Sequence, residues 1–201
     1  GHVYSGPVAA TGWRTLAARP RRVERVVLLG PAHRVAFAGL ALPGVDRFET
    51  PLGSVPVDTA GAGRLPGVLT LPAAHAREHS LEVHLPFMQV ALGAFSLVPL
   101  CVGDADAATV AAVLDALWDG PSTLVVVSSD LSHYLSWREA RAVDARTVED
   151  VVHLRAGVRH DEACGATPLN GLLRVAARRG LHATALDVRT SGDTAGGRDA
   201  V

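Results

Sequence analysis

Apolar residues along this chain fall into two kinds of block. The first is a short uninterrupted run, seen in VERVVLLG (23–30), FSLVPLCVG (95–103) and STLVVVSSD (122–130). Runs of that length, bounded by Gly or by polar residues, suit strands buried on both faces of a sheet. The second kind spaces its apolar residues three and four apart, which predicts helices over 7–18, 80–93, 104–120, 137–156 and 167–179. The helix over 80–93 carries Pro86 early in its course, where a missing N–H is tolerated. The helix over 104–120 opens on Asp and closes on Gly, as helix ends prefer. Between these blocks, 35–57 is rich in Gly, Pro and Val and predicts short strands in AFAGLAL and FETPLGSVPVD. HATALDVRTS (182–191) predicts a last strand. Strands alternating with helices imply a single three-layer α/β domain, its central sheet mainly parallel or mixed, with helices on both faces.

Composition narrows the function classes. Hydrophobic residues make up 48% of the 201 positions, enough for a full core. A net charge of −1 offers no electrostatic footprint for nucleic acid or for an anionic membrane. No apolar run approaches the roughly 18 residues that a spanning helix needs. The two cysteines, Cys101 and Cys164, make no disulfide framework, so a cytoplasmic location is expected. All basic side chains are Arg and there is no Lys or Ile, a coding bias without chemical meaning.

Sites in such sheets form beyond the carboxyl ends of the strands. Two strands end in polar clusters: VVLLGPAH leads to His33, and VVVSSDLSH leads to Ser128, Ser129, Asp130, Ser132 and His133. Gly30-Pro31 makes a stiff turn that would aim His33 over the sheet edge. Taken singly, His33 could be a loop residue and Asp130 a helix cap. Neither Ser sits in a G-x-S-x-G elbow. A third cluster, RHDEACGATPLNG (159–171), sets Cys164 just before a helix, where the dipole would lower its thiol pKa. Cys101 lies inside an apolar strand and reads as core. The fourth cluster, REHSLEVHLPF (77–87), matches neither H-E-x-x-H nor H-x-x-E-H, which argues against a self-contained zinc hydrolase motif. Helical spacing places His79 and Glu82 on one face, as support for a site built elsewhere. Two chemistries stay open for His33, Asp130, His133 and Cys164. One is an open metal site of imidazole and anionic ligands. The other is a Cys164 nucleophile with His133 as base and Asp130 orienting it.

Several motifs occur in order: YSG (4–6), LLGPAH (28–33), EHSLEVHLPF (78–87), VVVSSDLSHY (126–134), CGATP (164–168) and SGD (191–193). Together they resemble the Memo family, called AmmeMemoRadiSam system protein B in prokaryotes, over essentially the whole chain. The resemblance implies a fold like that of LigB-type class III extradiol dioxygenases and a bound metal, with iron (Fe2+) first and copper or zinc as alternatives. It places His33 and Cys164 as metal ligands, and Asp130 and His133 in the same pocket, His133 as general acid/base positioned by Asp130. The third ligand belongs to a Pro-His-Ala-Gly motif whose last residue matches Gly1. The resemblance therefore expects that His, and the first strand, upstream of Gly1, and a final strand after SGDTAGGRDAV. His2 falls on a position usually aromatic and is not that ligand. Where this chain has Cys164, ring-cleaving relatives have a carboxylate, which leaves dioxygenase activity open. The implied functions are an O2-dependent oxidoreductase acting on a small molecule, or a non-enzymatic metal-handling or partner-binding module. The implied partners are AMMECR-type and radical SAM proteins.

Overall fold

The computed structural model describes residues 1–17 and 22–201; residue 18, the last of the first predicted helix, lies outside them. Helix α1 (His2–Ala17) leads to strand β1 (Arg25–Pro31), then to the short strands β2 (Leu40–Leu42), β3 (Arg47–Thr50), β4 (Gly53–Pro56) and β5 (Val68–Thr70). A one-turn helix α2 (Pro72–His75) and α3 (Leu85–Leu92) precede β6 (Ser96–Val102). Helix α4 (Ala107–Leu117), β7 (Thr123–Val127), α5 (Trp137–Val152) and α6 (Ala166–Arg178) follow.

The three apolar runs become β1, β6 and β7, side by side in a five-stranded sheet of order β5-β2-β6-β1-β7. β1 pairs in parallel with β6 and β7. β2 runs parallel to β5 and antiparallel to β6, so the sheet is mixed. β3 and β4 form a separate antiparallel hairpin. Alternation along β1 makes the three layers: Val27 and Leu29 pack with α4 residues Val110 and Leu114 and with Val175 of α6. Val26 and Leu28 pack on the other face with Trp13 of α1 and Leu85 and Met88 of α3. Pro99 sits in the middle of β6, in register with Leu28. It is tolerated because the opposite side of β6 is bridged only at Leu97, to Val57, and at Cys101 and Val102, to β2.

Helix starts follow the polar signals. Asp106 caps α4 by accepting from the Thr109 amide, and Ser136 and Glu139 form a reciprocal capping box on α5. Three expectations are corrected. First, α1 begins at His2 rather than at residue 7; the Gly1 carbonyl accepts from the Tyr4 and Ser5 amides, and Pro7 lies within the helix. Second, the helix expected over 80–93 begins as a 3-10 turn, Glu82–His84, before α3 proper. Third, residues 182–190 pair with no strand among the described residues. That segment lines, with Val127 of β7, a cleft of about 770 Å³, and Thr11 Oγ1 of α1 donates to Asp187. β5 had no counterpart in the sequence reading. None of the helices in the described residues is long and apolar enough to cross a membrane.

Candidate metal and acid/base site

The polar ends of β1 and β7 meet at one rim because the two strands are direct neighbours, and the Ser128 amide continues the ladder by donating to the Leu29 carbonyl at 2.8 Å. Each end is completed by a second chain segment that a glycine admits. At the β1 end, a Cβ on Gly30 would lie 2.8 Å from Ser80 Oγ and 2.9 Å from Leu81. Glycine there lets the 78–81 segment close onto the strand, where Ser80 Oγ donates to the Pro31 carbonyl. At the β7 end, a Cβ on Gly165 would lie 2.6 Å from the Ser128 carbonyl oxygen and 2.8 Å from Ser129 Cβ. Glycine there lets the start of α6 abut the strand end and carry Cys164 with it.

The first half of the site is His33, Glu78 and His79. Among the described residues this is the group of three whose metal-binding atoms lie within 4.8 Å of one another, so it could hold a metal ion. Glu78 accepts from the His33 amide (2.6 Å), His33 Nδ1 (2.9 Å), the His79 amide (2.9 Å) and the Ser80 amide (3.0 Å). Burial alone would push the Glu78 carboxyl up, but the His33 ring and the His33 and Ser80 amides together outweigh it and hold the group at about 2. The His79 ring stacks on that of His33, centroids 5.1 Å apart and planes 25° from parallel.

The second half is Ser129, Asp130, His133 and Cys164. The Asp130 amide donates to Cys164 Sγ at 3.2 Å, and the Cys164 amide donates back to the Asp130 carbonyl at 3.1 Å. Ser129 Oγ lies 3.8 Å from the same sulfur and accepts from the Gly165 amide. A small apolar cluster of Val158, Ala163, Ala166 and Leu173 packs beneath this loop. His133 Nε2 is 3.9 Å from Asp130 Oδ2, an ion-pair distance too long for a hydrogen bond. Both side chains are exposed, and both line the large cleft, as Gly1 does. The turn that follows holds Tyr134 at φ 62°, a left-handed conformation rare outside glycine.

The expected lowering of the Cys164 pKa by the helix start is not what the fold produces. Burial pushes the thiol up, ahead of the opposing Asp130 amide and Ser129 hydroxyl. The structure thus joins His33 with His79 beyond the end of β1, and Asp130 with His133 and Cys164 beyond the end of β7, Cys164 arriving from the start of α6. Cys164 is not within the compact group of His33, Glu78 and His79.

Glu82 opens the 3-10 turn, is exposed, and lines with Glu78 and His75 a smaller cavity of about 290 Å³. The carboxylate that supports His33 is Glu78, which the helical spacing argument passed over. That argument assumed a helix through 79–82, where the chain instead turns. The signal was present, since a carboxylate directly precedes His79 in REHS. His84 is half-buried, its Nδ1 has no hydrogen-bond partner among the described residues, and burial lowers its pKa against the charge of Asp130, which raises it.

A family model described as Memo-like protein matches residues 1–201. A MEMO1 family protein of Archaeoglobus fulgidus is 32% identical over 97% of this chain and 78% of its own length. Another, from Methanopyrus kandleri, is 35% identical over 98% of the chain and 75% of its own length. A Thermotoga petrophila relative is 36% identical over 75% of the chain and 57% of its own length.

Proposed function

The chain belongs to the Memo family, and on that premise we propose that it is an iron-binding protein with an O2-dependent oxidoreductase site at the carboxyl ends of β1 and β7. The observation that carries the reading is that His33 on one side, and Asp130, His133 and Cys164 on the other, follow the carboxyl ends of adjacent parallel strands. An imidazole whose Nδ1 is tied to a carboxylate and a sulfur that accepts a backbone N–H are both donors suited to iron, zinc or copper. When bound, the metal would supply Lewis-acid chemistry, and His33 and Cys164 would hold it.

His133 holds or moves the proton in this proposal, with the Asp130 carboxylate 3.9 Å away. Their exposure to the cleft gives a small molecule direct access to the imidazole. The competing use of Cys164 as a nucleophile is disfavoured by its environment, because burial raises the thiol pKa in the metal-free protein.

Anaerobic loading with Fe(II), followed by elemental analysis, tests the reading. Stoichiometric iron in the wild type, lost in His33→Ala and in Cys164→Ala, is the expected result, and an O2-uptake screen of catechol-like compounds would follow. Iron absent from the wild type, or retained in both variants, would overturn the metal assignment.

A further inference from the structure

Glu78 is the most heavily hydrogen-bonded carboxylate at the rim and also one of the most deeply buried, with 1% of its side chain exposed. Two features decide whether it binds metal itself or acts through a neighbour. Its two oxygens together offer about four lone-pair sites. Oε1 already takes three donors, from His33 Nδ1, the His79 amide and the Ser80 amide, and Oε2 takes the His33 amide. Almost nothing is left for a metal ion. The His33 ring, by contrast, is one-third exposed and is bonded through only one of its nitrogens.

We propose that Glu78 is a positioning residue that fixes the tautomer and direction of His33, leaving Nε2 as the outward-facing metal donor. The proposal rests on the metal reading above and deepens it. An ionised carboxylate can only accept, so Nδ1 of a neutral His33 must carry the proton and Nε2 the lone pair. The carboxylate also grips the His33 main chain, so backbone and ring are held by the same anion. The stacked His79 ring, with its own Nδ1 3.4 Å from Glu78 Oε1, covers one face of His33 and opposes rotation of the ring. The clamp is in turn fastened to β1 by Ser80 Oγ on the Pro31 carbonyl. A carboxylate behind a ligating imidazole raises the basicity of the donor nitrogen, and removing it typically costs ~10–100-fold in metal affinity.

Long-range 1H–15N correlation spectra of metal-free, 15N-histidine-labelled protein report the tautomer directly, with His33→Ala assigning the signal. His33 should be protonated at Nδ1 in the wild type. In Glu78→Gln that preference should be lost, and Co(II) affinity, read from its visible absorption, should fall by ~10–100-fold. Ser80→Ala loosens the same segment without touching the ring contact. It should lower stability while leaving the tautomer and the Co(II) affinity of the folded protein unchanged. An Nε2–H tautomer in the wild type would overturn the proposal, and that measurement needs no variant to fold. So would a Glu78→Gln protein with unchanged tautomer or unchanged affinity, or a Ser80→Ala protein that loses affinity equally. A wild type that binds no Co(II) would overturn the metal reading, while the tautomer would still decide whether Glu78 sets His33.

Discussion

Replacing Gly165 by Ala probes the packing that carries Cys164 to the β7 rim. Gly165 has φ −91° and ψ 29°, a conformation open to any residue, so the backbone itself adds no strain. The obstacle is space. The new methyl would lie 2.6 Å from the Ser128 carbonyl oxygen and 2.8 Å from Ser129 Cβ, and the first of these is main chain that cannot rotate away. Overpacking of this kind costs ~1–3 kcal/mol. The smaller entropy of the unfolded alanine chain offsets ~0.4–1 kcal/mol of that. A net loss of roughly 1–2 kcal/mol remains, or a Tm roughly 2–8 °C lower for a chain of this length. The displacement must also lengthen the 3.2 Å contact from the Asp130 amide to Cys164 Sγ and the 2.9 Å contact from the Gly165 amide to Ser129 Oγ. Urea unfolding followed by circular dichroism measures the first effect, and the near-ultraviolet cobalt–thiolate band of Co(II)-loaded protein measures the second. Gly12→Ala in α1 is the control, because its Cβ would meet nothing within 4 Å. It should stabilise the protein by ~0.5–1 kcal/mol. The reasoning fails if Gly165→Ala is as stable as the wild type, or if it is destabilised while the cobalt–thiolate band stays unchanged.

Two further predictions concern ionisation. Burial, with the charge of Glu78 second, pushes the Cys101 thiol up to about 12, and burial also raises Cys164. Iodoacetamide at neutral pH should therefore label neither thiol quickly in the folded, metal-free protein and both after unfolding, and rapid labelling of Cys164 would restore the nucleophile reading. Glu78 titrates at about 2 in the folded chain, below its unfolded value, so its stabilising contribution is complete above the unfolded pKa and is lost as pH falls toward about 2. The depression corresponds to roughly 3 kcal/mol. Urea stability of the wild type should drop toward that of Glu78→Gln over this acid range, and a constant gap between the two proteins across it would refute the assignment.

Much of this protein is legible in one dimension. The apolar runs of β1, β6 and β7 are long enough to be buried on both faces, and they became the adjacent central strands of the sheet. The helices expected over 104–120 and 137–156 formed as α4 (Ala107–Leu117) and α5 (Trp137–Val152), because helical periodicity depends on neighbours three and four residues away; α4 is shorter at both ends, capped by Asp106 and closed at Trp118 rather than at Gly120. Residues 182–190 failed because alternation predicts an extended chain and not a partner for it; pairing requires another strand at the right edge, and none of the described strands bonds to it. The motifs located His33, Asp130, His133 and Cys164 at strand ends or at a helix start. Tertiary structure alone decided which carboxylate meets which imidazole. Glu78 reaches His33 across 45 positions of sequence because Gly30 lets the 78–81 segment close on the strand, and no spacing rule contains that contact. The direction of the Cys164 pKa was likewise decided in three dimensions. The helix start is a local feature visible in the sequence, whereas burial, the larger effect, is set by everything that packs around the sulfur.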